Sequence, residues 1–77
     1  MAKKMIVDFN GFEAYALEVK NDILEIELQI PYSEYEIDNI ALGEYSEFKS
    51  KISQTDAYKK ARKEGLGIIY IKHYNSN

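Results

Sequence analysis

At 77 residues, with 45% of them hydrophobic and 30% charged, the chain is too short for two ordinary domains and too apolar for a disordered one, so residues 1–77 are expected to form a single compact domain. It contains no cysteine, which excludes a disulfide framework or a thiolate zinc site and points to an intracellular, cytoplasmic setting. The net charge of −3 conceals an asymmetry: residues 1–47 carry three lysines against eleven carboxylates, and residues 48–77 carry seven cations against Asp56 and Glu64.

The basic start Lys3-Lys4 leads into an apolar run that Asp8 and Asn10 cut short, so no signal-peptide core forms. No stretch nears the roughly 18–20 apolar residues that a membrane-spanning helix needs, and no membrane association is expected. Met5, Val7 and Phe9 alternate with Ile6 and Asp8, the period of a strand, and Asn10-Gly11 then supplies the positive-φ pair of a type I′ hairpin turn. A second strand is expected from Phe12 to Val19, with Tyr15, Leu17 and Val19 on one face and Ala14 and Ala16 on the other, a pattern that suits a central position. Asn21-Asp22 marks the next turn. Leu24, Ile26, Leu28 and Ile30 then alternate with Glu25, Glu27 and Gln29, completing a three-stranded antiparallel meander.

Beyond Pro31 the period lengthens. Ser33 followed by Glu36 fits a capping box, and Ile37, Ile40 and Ala41 fall at helical spacing, predicting a helix over 34–42 that competes with an irregular segment. Gly43 is expected to interrupt it, after which Tyr45, Phe48 and Ile52 form an i, i+3, i+7 stripe. Thr55 reads as a further N-cap, and Lys59, Lys60, Arg62 and Lys63 before Gly65 suit a helix C-terminus. Leu66 to Tyr74 returns to strand. The expected fold class is therefore α+β: the meander, one or two helices packed on one face, and a C-terminal strand joining the sheet.

Catalytic groups are scarce. His73 is the sole histidine, and near the chain end in a predicted strand it reads as a solvated side chain. Glu25 and Glu27 share the solvent face of a strand, as carboxylates of any acidic domain do, and a bare pair does not single out catalysis. Gly65-Leu66-Gly67 follows a helix and precedes a strand, the reverse of the order in phosphate-binding loops. Gly67-Ile68-Ile69-Tyr70-Ile71 resembles the first strand of GIY-YIG nucleases, but the residues that follow it contain neither the second motif nor an arginine or glutamate. Asp38 to Glu47 collects acids, yet Ile40 would occupy a ligand position of a calcium loop. No enzyme activity, cofactor or metal is expected.

Two patches remain. Tyr32, Glu34, Tyr35, Glu36, Asp38, Glu44, Tyr45 and Glu47 interleave tyrosines with carboxylates, a composition suited to a protein partner with a basic surface, although tyrosines also complete small cores. Lys59, Lys60, Arg62 and Lys63 are the alternative, a phosphate-contacting helix of a nucleic-acid-binding module, although cations near a helix C-terminus also complement its dipole. In size and charge the chain resembles the small acidic inhibitors that phages and mobile elements direct at host enzymes and defence systems, which implies stoichiometric binding to a protein. A structural or assembly subunit that self-associates through an open sheet edge is the remaining alternative.

Overall fold

Asn10 and Gly11 both adopt positive φ (49° and 87°), the type I′ geometry that folds β1 (Lys4–Phe9) back onto β2 (Phe12–Ala16) with Phe9 opposite Phe12. The computed structural model describes residues 3–75. A second turn of the same hand uses Asn21 and Asp22 (φ 53° and 61°), residues that tolerate the left-handed region better than most. Around it Lys20 and Ile23 exchange backbone hydrogen bonds of 3.1 and 2.9 Å at the start of β3 (Ile23–Ile30).

β2 ends at Ala16, short of the expected Val19, and the register shows why. Ala16 opposes Ile26 whereas Lys20 opposes Ile23, so Leu17, Glu18 and Val19 face only Leu24 and Glu25. One surplus residue breaks the alternation there. β1 carries a similar irregularity, for Met5 opposes Tyr15 and Val7 opposes Ala14, leaving Ile6 unpaired between them.

Three helices follow, where one or two were expected. Ser33 caps α1 (Glu34–Asn39) through a capping box: its hydroxyl accepts from Glu36 N–H at 3.2 Å, and Glu36 Oε1 accepts from Ser33 N–H at 2.9 Å. Gly43 lies inside the first turn of α2 (Leu42–Ser53) and does not interrupt a helix; space around it is open, so its cost is only the ordinary glycine entropy. Thr55 caps α3 (Asp56–Lys63) by accepting from Tyr58 N–H. That helix ends in a Schellman turn, with Gly65 at φ 74°, its N–H on the Arg62 carbonyl and Leu66 N–H on the Ala61 carbonyl at 2.9 Å.

The helices return the chain to the end of the sheet where β3 began, so β4 (Gly67–Tyr74) joins β3 in parallel, giving the order β1-β2-β3-β4. Leu24, Ile26, Leu28 and Ile30 face the helices as their alternation predicts, and the stripe Tyr45, Phe48 and Ile52 lies in the same core. Phe12 and Phe48, both fully buried, meet with ring centroids 4.9 Å apart. Each such burial contributes about 1.5–3 kcal/mol before conformational entropy offsets it.

Candidate functional site

The tyrosine and carboxylate segment between β3 and α2 is divided by the fold into a buried part and an exposed part. Ile37 and Ala41 are the inward residues of the α1–α2 corner and are nearly fully buried. Because α1 stops at Asn39, the N–H groups of Ile40 and Ala41 both fall on the Glu36 carbonyl, at 2.8 and 2.9 Å. Anchoring Ala41 turns its two neighbours outward. Ile40 is 73% exposed and Leu42 56%, while Tyr35 at the start of α1 is 74% exposed. Asn39 Nδ2 donates to the Tyr35 carbonyl at 2.7 Å, bracing that turn.

Of the carboxylates in the segment, Glu34, Asp38 and Glu47 are exposed. Glu36 is engaged in the capping box and Glu44 accepts the Tyr32 hydroxyl at 2.8 Å, so both are half-buried and serve the fold. That hydrogen bond, with desolvation and the nearby charge of Glu44, raises the Tyr32 phenol above its ordinary value. The Tyr32 ring lies 5.8 Å from Phe12. Tyr45 is only 8% exposed, its ring 6.4 Å from Phe12, and burial raises its phenol as well. The fold thus brings Glu34, Tyr35, Asp38 and Glu47 to the surface and turns Tyr32 and Tyr45 toward the core.

Sequence reasoning missed Ile40 and Leu42. Ile40 fits the same helical spacing as Ile37 and Ala41, which reads as inward. The available signal was that Ile37, Ile40, Ala41 and Leu42 supply more apolar positions than a one-turn corner can face inward.

No family model, curated protein or solved structure matches this chain.

Two further clusters complete the polar surface. On α3, Lys59, Lys60, Arg62 and Lys63 are all exposed, and among the described residues none is in an ion pair. The last three lie in the final turn, where positive charge complements the helix dipole. On the sheet face away from the helices, Glu27 sits between Lys3 Nζ at 2.7 Å and His73 Nε2 at 3.0 Å. The lysine contact chiefly holds the Glu27 carboxyl below its ordinary value, with His73 adding to it and desolvation opposing. Tyr15 donates to Glu13 Oε1 at 2.8 Å on the same face, and Lys3 lies 4.9 Å from the Tyr15 ring centroid. Among the described residues no group of three histidine, aspartate or glutamate side chains is placed to hold a metal ion, and no helix is long and apolar enough to cross a membrane.

Proposed function

We propose that this domain acts stoichiometrically by binding a protein, using the α1–α2 corner as its contact surface and acting without turnover. Tyr35, Ile40 and Leu42 supply apolar contact, and Glu34, Asp38 and Glu47 surround them with negative charge that favours a partner with a recessed apolar patch and basic margins. One observation carries this reading: three large apolar side chains lie exposed within eight consecutive residues while the core beneath them is closed. An inhibitor of a larger host protein, of the kind mobile elements encode, is one role such a surface fits.

The test compares capture from a lysate of the native host by three forms of the protein. The wild type and a variant with α3 reversed in charge (Lys59→Glu, Lys60→Glu, Lys63→Glu) are expected to retain the same basic partner, and Ile40→Ser with Leu42→Ser to lose it. Retention by the corner variant together with loss by the α3 variant would reject the reading. The competing nucleic-acid reading rests on the exposed cations of α3, which form no ion pair among the described residues, and requires binding that weakens steeply as salt rises.

A further inference from the structure

The two edges of the sheet are built differently. β1 is six residues long, irregular at Ile6, preceded by Lys3 and begun by Lys4, features that discourage the addition of another strand. β4, at the other end of the strand order, runs for eight residues without a bulge or a proline, and its Ile69 is 45% exposed.

Two hydrogen bonds establish which of its backbone groups are free. Gly67 N–H donates to the Asp22 carbonyl at 2.9 Å, and Asn75 N–H to the Ile30 carbonyl at 3.1 Å. In a parallel ladder alternate residues address the neighbouring strand, so the odd-numbered residues of β4 bond to β3. Ile68, Tyr70, Lys72 and Tyr74 therefore turn N–H and C=O toward the open edge. Their side chains face the helix layer, which covers them incompletely: Lys72 is exposed, and Ile68, Tyr70 and Tyr74 are half-buried.

We propose that β4 pairs antiparallel with β4 of a second copy of this chain, about a two-fold axis at Ile71. The strand's own residues select this occupant and register. Centred on Ile71, Ile68 meets Tyr74 of the second copy and Tyr70 meets Lys72, so all four outward residues are engaged in about eight hydrogen bonds. Centring on Tyr70 would place Tyr74 opposite Leu66, whose N–H is already bonded to the Ala61 carbonyl. Centring on Lys72 would set two lysines face to face. In the Ile71 register Lys72 is kept from its own copy and meets a tyrosine ring, a favourable cation–π pairing, and His73 meets Ile69. On the sheet face away from the helices, Ile71 meets its own copy. The result is one continuous eight-stranded sheet with both helix layers on the same side. This association leaves Ile40 and Leu42 of the α1–α2 corner outside the paired strands, while Tyr74, at one end of the pairing, lies within charge range of the corner's Glu34 and Asp38.

The absence of cysteine makes the test direct. Ile71→Cys places two thiols opposite each other in a non-hydrogen-bonded pair, where Cα atoms lie about 4.5 Å apart, within disulfide reach. Under mild oxidation it is expected to form a species of twice the 8.9 kDa chain mass, faster than the exposed control Ser46→Cys. Ile69→Cys and His73→Cys are expected to cross-link when mixed and to stay at the Ser46→Cys rate when alone. Lys72→Pro removes an outward N–H while sparing the ladder with β3, and is expected to keep the wild-type circular dichroism but lose the mass doubling that ultracentrifugation detects as concentration rises. A wild type that sediments as a monomer at millimolar concentration, with Ile71→Cys cross-linking no faster than the control, would overturn the proposal. So would preferential cross-linking of mixed Ile69→Cys and Ile71→Cys, or of Ile71→Cys and His73→Cys, which moves the axis. Slowed exchange of the Ile68, Tyr70, Lys72 and Tyr74 amides only on adding an extended foreign peptide would give the edge to another protein and equally overturn it.

Discussion

Replacing Tyr45 by phenylalanine should make the protein more stable. The Tyr45 hydroxyl is buried and has no hydrogen-bond partner among the described residues, while its ring packs 6.4 Å from Phe12 and 5.3 Å from Lys49 Nζ. A buried polar group without a partner costs about 1–3 kcal/mol in desolvation. Tyr45→Phe removes that group and leaves the ring, so a gain of about 1 kcal/mol is expected. A domain of this length has a total stability of roughly 4–12 kcal/mol, which makes the change easy to resolve. In urea titrations followed by circular dichroism the midpoint should rise at unchanged m, and the melting temperature should rise by about 4–8 °C per kcal/mol. Tyr32→Phe supplies the opposite sign, because it deletes a hydroxyl that donates to Glu44 at 2.8 Å. A Tyr45→Phe protein less stable than wild type would show that the hydroxyl is satisfied, and would refute the reasoning that turns Tyr45 away from the partner surface.

Acid titration should report on Glu27. Its carboxyl is held below the ordinary value of 4.5, so the stability it contributes is complete above that pH and is lost as pH falls through the lower folded value. Thermal melts between about pH 2.5 and 6 should show an acid slope that Glu27→Gln flattens. At the alkaline end, Tyr15, Tyr32, Tyr45, Tyr70 and Tyr74 are all raised above 10.0. Folding therefore opposes their ionisation: stability does not depend on these phenols below pH 10 and falls as pH climbs through the folded values, so absorbance titration of the folded protein should lag that of the urea-unfolded chain. Thr55→Ala, which removes the α3 cap, should cost about 1 kcal/mol in the same urea titration.

Features governed by local rules were legible in the sequence. Asn10-Gly11 can hardly be anything but a tight hairpin turn, Ser33 and Glu36 satisfy each other's backbone groups whatever lies around them, and Gly65 ends α3 because a left-handed residue was needed there. Features that depend on register were not. Ile6 lies in a run where neighbouring residues are apolar on both faces, so alternation cannot reveal that it is the surplus residue of its ladder, and the β2 ladder, which continues through the bond from Leu17 N–H to the Glu25 carbonyl, breaks only at Glu18 and Val19. The parallel attachment of β4 follows from where the helices return the chain, which the composition of the strand does not encode.

The acidic corner was half legible. Composition marked residues 32–47 as unusual, but tyrosines at 32, 35 and 45 look alike until the core chooses among them. The stripe shared with Phe48 and Ile52 takes Tyr45 inward, Phe12 takes the ring of Tyr32, and Tyr35 remains outside. Ile40 and Leu42 escaped notice because their exposure follows from the burial of Ala41 between them.

The most direct measurement of contact at this corner is site-specific photo-cross-linking, with a benzophenone amino acid placed at Tyr35 in one sample and at Lys60 in another and each exposed to a lysate of the cells in which the protein is made. The corner account predicts a single protein adduct from position 35, lost when Ile40→Ser and Leu42→Ser are added, and none from position 60. Adducts from position 60 alone, to protein or to nucleic acid, would contradict it.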